Sequence, residues 1–123
     1  MSMFRQAVSA IVRALPSEKG YAHCDIPCGI YDPITAKIAA QTVQKMVMRI
    51  QALQHPNAGD SADVWATYEN TLGRYVAVKE EHAQLCKKEL SILWGDYFRP
   101  EHLEKYPDLH DTFWKAAKLC GTN

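Results

Sequence analysis

The longest amphipathic pattern in the chain runs from Asp32 to Leu53 and reads DPITAKIAAQTVQKMVMRIQAL. Asp32 is a favourable helix N-cap, and Pro33 suits the first helical position because no N–H donor is needed there. Apolar residues then recur every three or four positions, which is the spacing of one buried helical stripe. These residues are Ala36, Ala39, Ala40, Val43, Met46, Val47, Ile50 and Leu53. The segment therefore predicts a long helix that packs along one face.

A second long helical pattern follows a clear break. The break is the sequence HPNAG at residues 55–59, which combines proline and glycine. A new helix is expected to begin near Ser61 or Asp63 and to end at about Trp94. Its predicted buried residues are Val64, Tyr68, Leu72, Tyr75, Val76, Leu85, Cys86 and Leu93.

A third helix is predicted near the end of the chain. Residues 95–100 read as a turn, and an irregular link through Tyr106 and Pro107 follows it. Apolar residues then return at helical spacing until Gly121 closes the pattern. They are Leu109, Phe113, Ala116, Ala117 and Cys120. Long helices joined by shortish links, with little strand signal, predict an all-α, antiparallel helical bundle.

Composition limits the classes of function. The 123 residues suffice for one domain, and the 47% hydrophobic and 23% charged content is ordinary for a soluble globular protein. Fourteen basic residues balance fourteen acidic residues, so no strong field favours nucleic acid or an anionic membrane. No apolar stretch approaches the roughly 20 residues that span a bilayer. We therefore expect neither a nucleic-acid partner nor a membrane partner.

Cysteine usage indicates a reducing compartment. Cys24, Cys28, Cys86 and Cys120 are too few and too scattered for a disulfide scaffold. Cys86 and Cys120 fall on apolar helical faces, where a cysteine usually behaves as a small hydrophobic residue. A cytoplasmic protein is the simplest interpretation.

Residues 1–22 read as a separate segment. Phe4, Val8, Ile11, Val12 and Leu15 recur at helical spacing, and a polar link at residues 17–20 follows. A secretory signal would need a longer uninterrupted apolar centre. A removable leader or a docking arm is therefore expected, and residues 23–123 form the folded domain.

Residues 23–31 read HCDIPCGIY and concentrate metal-binding groups in one short loop, which we call the hook. Cleavage after Ala22 would make His23 the amino terminus. The loop would then offer an amine, an imidazole, a backbone amide and the thiolates of Cys24 and Cys28. Two thiols and one imidazole fall short of a closed four-ligand zinc site. Nitrogen and sulfur donors held nearly in a plane suit nickel or copper better.

The hook and three later segments resemble the nickel-containing superoxide dismutases. The matching strings are HCDIPCGIYDP at residues 23–33, KEE at 79–81, LWGDYF at 93–98 and EKYPDLH at 104–110. The resemblance implies a four-helix bundle that assembles as a homohexamer. It also implies dismutation of superoxide to dioxygen and hydrogen peroxide by a nickel(II)/nickel(III) cycle. A maturation peptidase that removes residues 1–22 is implied as well.

The resemblance assigns roles inside the hook by position. His23, Cys24 and Cys28 match the nickel ligands. Asp25 matches a residue that shapes the hook, and Tyr31 matches the tyrosine at the mouth of the site. We expect Asp25 and Tyr31 to take part in catalysis.

Further residues are expected to surround the site. Pro27 matches a cis-proline, and Tyr97 matches a companion of the site tyrosine. Some family members hold the axial histidine through a glutamate and an arginine, whose positions are occupied here by Ala39 and His82. The axial support must therefore differ, and His82 or Glu81 is the expected replacement.

Two departures keep an alternative function open. Family members continue beyond residues 113–115 into another long helix, so the bundle here would lack its last helix. Uncleaved, residues 1–22 would turn the His23 amine into an amide and remove one ligand. The alternative is a non-catalytic metal-binding or thiol module of the same fold.

Overall fold

Helices make up the ordered framework of the protein in a computed structural model, which describes residues 28–122. The elements in chain order are α1 (Ile34–Ala52), α2 (Ala62–Ile92), a π-helical turn (Leu93–Tyr97), the one-turn helix α3 (His102–Lys105) and α4 (Leu109–Cys120). Helices α1 and α2 form the largest interface, and α4 packs against α2. No strand occurs within residues 28–122. The prediction of an all-α fold with antiparallel helices is therefore confirmed.

Helix α1 begins where the sequence predicts it. The Asp32 carboxylate accepts a hydrogen bond of 2.8 Å from the Ile34 N–H, and Lys37 N–H donates to the Pro33 carbonyl at 2.9 Å. Pro33 already has helical dihedral angles, with φ of −72°. At the other end, the extended backbone of Leu53 stops the helix. Local capping chemistry thus fixes the direction in which the chain leaves the hook.

The interface between α1 and α2 depends on small residues. Helix α1 buries Ala36, Ala39, Val43 and Met46. Helix α2 buries Ala83, Cys86, Glu89 and Ile92. Alanines on both helices allow the two backbones to approach closely. The prediction that Ala40 is buried is wrong, because it borders an open groove between α1, α2 and α4.

The first half of α2 is less buried than its periodicity predicts. Ser61 caps the helix, and its hydroxyl accepts a hydrogen bond of 3.4 Å from the Val64 N–H. Val64 and Val76 are exposed, contrary to prediction. The physical reason is that neighbouring elements cover only the second half of α2. Its buried residues begin at Ala83, in the half where α4 and the π-helical turn also supply contacts.

The segment after α2 corrects a second prediction. Residues 95–97 were expected to turn, yet the helix continues through Tyr97 in π-helical form. The Phe98 N–H donates to the Leu93 carbonyl at 3.3 Å, which closes the wider ring of this helix type. The link expected before Pro107 also contains the short helix α3.

A small apolar cluster lies where the π-helical turn meets α4. Ile92 and Leu93 are buried there, and Tyr31, Phe98 and Phe113 pack against them. Tyr31 belongs to the hook segment, so this cluster connects the hook to the helical framework. Helix α4 has the predicted bounds and ends before Gly121.

Membrane-spanning character is not found in the described helices. Among residues 28–122, none of the helices is both long enough and apolar enough to cross a bilayer.

Candidate metal centre and its surroundings

Cys28 is the one predicted nickel ligand within the described residues. Its side chain is exposed, and its sulfur accepts a hydrogen bond of 3.4 Å from the Ile30 N–H. A second contact of 3.7 Å joins the thiol to the Ile30 carbonyl. Between them, Gly29 has a φ of +77°, in the left-handed region that glycine adopts without strain. The turn thus presents the thiol on the outside of the protein.

Tyr31 connects this turn to the helical framework. Its ring packs against the cluster formed around Ile92 and Leu93. The ring of Tyr97 lies beside it, with the two centroids 5.8 Å apart and the planes inclined by 57°. The π-helical turn supplies Tyr97, which remains 46% exposed. The structure therefore brings together the two tyrosines that were expected near the site.

An aromatic arrangement that was not predicted from the sequence lies behind Tyr97. The imidazole of His102 stacks on the Tyr97 ring at 5.8 Å, with the planes inclined by only 11°. Phe98 packs edge-on against His102, at 5.6 Å, and against Phe113, at 5.3 Å. His102 Nδ1 accepts a hydrogen bond of 2.8 Å from the Arg99 N–H, which fixes the ring orientation. The sequence feature that could have predicted this arrangement is the close spacing of Tyr97, Phe98 and His102 near a helix end.

His82 and Glu81 are adjacent residues of α2. His82 is half-buried, and its Nδ1 pairs with the Val78 carbonyl at 2.8 Å. Because a carbonyl can only accept, Nδ1 carries the proton and Nε2 is left with a lone pair in the neutral ring. Glu81 is exposed. Ala39, at the position where some relatives have a glutamate, is buried and offers no polar group.

Two buried carboxylates were not anticipated. Glu89 is only 7% exposed, and its Oε2 has no hydrogen-bond partner. Oδ2 of Asp96, in the π-helical turn, is likewise buried and unpartnered. The burial of Glu89 could have been predicted from the sequence, because Glu89 follows Cys86 by three residues and precedes Ile92 by three. An unpaired buried carboxylate oxygen lowers stability.

The described residues do not contain a complete metal site. Within residues 28–122, no three histidine, cysteine or acidic side chains are grouped closely enough to hold an ion. His23, Cys24, Asp25 and Pro27 lie outside the described residues. Their predicted roles, and that of the leader at 1–22, remain predictions.

Comparison with known proteins identifies the family. The sequence model described as nickel-containing superoxide dismutase matches residues 18–123. The chain belongs to the nickel-containing superoxide dismutase family. The match includes the entire hook and all of the helices described above.

Two curated superoxide dismutases show the extent of the similarity. The enzyme of Streptomyces coelicolor is 44% identical over 89 residues, covering 72% of this chain and 58% of the relative. The enzyme of Streptomyces seoulensis is 40% identical over 106 residues, covering 86% of this chain and 71% of the relative. The chain thus spans somewhat more than half the length of the first of these relatives.

Solved structures in the family share the fold. A native nickel superoxide dismutase superposes with a TM-score of 0.63 at 35% identity, covering 80% of this chain and 74% of that chain. A structure with nickel ligation corresponding to the oxidised state gives a TM-score of 0.62 at 36% identity with the same coverage. The prediction of a helical-bundle fold of this family is therefore confirmed.

Proposed function

We propose that this protein dismutates superoxide to dioxygen and hydrogen peroxide, with a nickel ion held by the hook. The observation that carries the proposal is the family match over residues 18–123, which includes His23, Cys24 and Cys28. Bound nickel supplies a one-electron redox couple that can alternately accept and donate an electron. Every other requirement falls on the side chains and backbone of the chain itself.

The environment of Cys28 suits a metal-binding thiolate. Its sulfur is exposed, and the Ile30 N–H points at it from 3.4 Å. A backbone N–H donor stabilises negative charge on sulfur, and exposure leaves room for an ion. We infer that Cys28 holds nickel together with Cys24 and the amine and imidazole of His23.

The chemistry of His23 requires a processing step. An internal residue has an amide nitrogen, whereas a terminal residue has an amine that can donate a lone pair. Removal of residues 1–22 by a maturation peptidase would create that amine. The leader is therefore proposed as an inhibitory segment whose loss completes the ligand set.

Tyr31 and Tyr97 are proposed to form the entrance to the site. Tyr31 is anchored on the Ile92–Leu93 cluster, so its ring has little freedom to move. Tyr97 stands next to it and is partly open to solvent. Two packed rings narrow the approach, and a phenol can donate a hydrogen bond to a small anion. Asp25 is proposed to shape the hook around the entering superoxide.

His82 and Glu81 are proposed to support the imidazole of His23. The Nδ1 proton of His82 is committed to Val78, so Nε2 can accept a hydrogen bond. Glu81 offers a carboxylate acceptor from the next position on α2. Either group would replace the support lost through Ala39, and Pro27 would fix the hook in its turn.

We propose a subunit assembly and a cellular location from the exposed apolar side chains and the cysteines. Large apolar side chains are exposed, including Trp94 at 47% and Trp114 at 60%. Exposed apolar surface of this kind indicates subunit contacts. We propose a homo-oligomer, a hexamer by resemblance. The small number and wide scatter of the cysteines favour the cytoplasm.

The decisive experiment uses protein that begins at His23 and is loaded with nickel. We expect superoxide removal and an electron-spin signal from nickel(III) that would show nitrogen coordination. Cys28→Ser should abolish both, whereas the matched variant Cys86→Ala, outside the site, should retain them. Bound nickel without superoxide removal would contradict the proposal and favour a non-catalytic metal-binding module. Mass spectrometry of the native amino terminus tests processing, and native mass spectrometry tests assembly.

A further inference from the structure

Helices α2 and α4 bring two cysteines together far from the hook in sequence. Cys86 lies on α2 and Cys120 is the last residue of α4. Both line the same groove of about 880 Å³ between α1, α2 and α4. Cys120 lies close enough to influence the Cys86 thiol. Nothing in the proposed dismutation uses this pair.

The two thiols have different environments. Cys86 is only 7% exposed, while Cys120 is half-buried at a helix end. Burial, followed by the charge and the hydrogen bond of Cys120, raises the pKa of the Cys86 thiol to about 11. Cys86 therefore stays protonated near neutral pH, and Cys120 is the sulfur that a small oxidant can reach.

We propose that Cys86 and Cys120 form a reversible disulfide when the protein meets hydrogen peroxide. In the first step, the Cys120 sulfur bonds to one peroxide oxygen, the O–O bond breaks, and the thiol proton leaves with the other oxygen as water. This yields a sulfenic acid. In the second step, the Cys86 sulfur attacks the Cys120 sulfur, the S–O bond breaks, and the Cys86 thiol proton leaves with the hydroxyl group as a second water. Two electrons pass from the two thiols to one peroxide.

Peroxide is the product of the proposed dismutation, but added peroxide drives the same chemistry. The inference therefore stands independently of the proposed function. Transient disulfides of this kind occur in otherwise reducing compartments. The bond would covalently join the C-terminal end of α4 to α2, whereas the buried residue of α4, Leu109, lies at its start.

The test removes the hook thiols, so that their reactions do not interfere. Protein carrying Cys24→Ser and Cys28→Ser is exposed to hydrogen peroxide, alkylated and digested with trypsin without reduction. We expect residues 80–87 to be linked to residues 119–123, with loss of two hydrogens and release by dithiothreitol. Oxidation of the two peptides without a link would overturn the proposal, as would disulfides between molecules in place of the internal bond.

Single variants test the order of the steps. With Cys86→Ala, the resolving thiol is absent, and dimedone should trap the sulfenic acid of Cys120. With Cys120→Ser, Cys86 should remain a thiol at the peroxide dose that fully links the pair. Dimedone labelling of Cys86 instead would overturn the assigned roles. The oxidised pair should also raise Tm by on the order of 10 °C, because the bond closes a long loop. An unchanged Tm in fully linked protein would contradict the proposed joining of the helices.

Discussion

Tyr31 and Tyr97 pack side by side, with ring centroids 5.8 Å apart, although one precedes α1 and the other ends the π-helical turn. The contact links the segment that carries Cys28 to the Ile92–Leu93 cluster. Any movement of the π-helical turn must therefore change the surroundings of the hook. The ring packing, more than the phenol groups, is expected to hold this geometry.

Replacing Tyr97 separates the contribution of its ring packing from that of its hydroxyl group. Tyr97→Ala removes the ring contacts with Tyr31 and His102 and should lower the free energy of unfolding by about 1–2 kcal/mol. Tyr97→Phe keeps the ring and should change it by less than about 0.5 kcal/mol. Urea unfolding monitored by circular dichroism measures both. Equal losses in the two variants would show that the hydroxyl, not the ring, stabilises the contact.

Most of the helical framework could be predicted from the sequence, because local chemistry determines where the helices begin and end. The Asp32-Pro33 cap, the Ser61 cap and the break at 55–59 all lie at or next to the observed helix ends. The exposure of Val64 and Val76 could not be predicted from the sequence. Periodicity reports which face of a helix is apolar, but only the tertiary arrangement decides how much of that face is covered.

The surroundings of the candidate site were only partly predictable. The position of Tyr97 was expected from family resemblance, whereas its stacking on His102 depends on a π-helical turn that looked like a loop. Glycine at position 95 suggested a turn, yet the wider helical ring accommodates it. The proximity of Cys86 and Cys120 was also hidden, because single-helix patterns carry no information on which helices meet.

Gly29 provides a test of the hook's conformation. Its φ of +77° strains any residue with a Cβ, although no heavy atom lies within 4 Å of the Cβ position. Gly29→Ala should therefore weaken nickel binding through backbone strain of about 1 kcal/mol, equivalent to a roughly fivefold to tenfold rise in Kd. Competition with a chelator measures the affinity.

Two further variants make this test specific. Gly29→Asn should lose less affinity, because asparagine tolerates the left-handed region better than alanine. Gly59→Ala is the matched control, since that glycine is also open but has no positive φ. Parent-like nickel affinity in Gly29→Ala would show that nickel binding adds no backbone strain at this turn.

Glu89 is expected to reduce stability. Its carboxylate is buried in the α2 stripe, with one oxygen lacking a hydrogen bond. Glu89→Met should raise the free energy of unfolding by about 1 kcal/mol, because it replaces the unsatisfied group with an apolar side chain of similar length. Glu69→Met, at an exposed position of the same helix, should change it by less than about 0.5 kcal/mol. A loss of stability in Glu89→Met would indicate that the carboxylate has a favourable role.

The buried thiol of Cys86 is expected to lower the stability of the protein at alkaline pH. Its pKa is raised from 9.0 to about 11, with burial as the largest cause, followed by the charge and hydrogen bond of Cys120. Below pH 9 the thiol is protonated in both the folded and unfolded states, so its full contribution is present. Between pH 9 and 11 the unfolded thiol ionises first, which favours unfolding. The parent should therefore lose up to roughly 2 kcal/mol more than Cys86→Ala over this interval.

Urea unfolding at pH 8, 9, 10 and 11 under reducing conditions measures the difference. Cys120→Ser should give an intermediate loss, because burial of Cys86 remains while the neighbouring charge is removed. Identical pH profiles for the parent and Cys86→Ala would show that the buried thiol ionises as readily in the folded protein as in the unfolded chain.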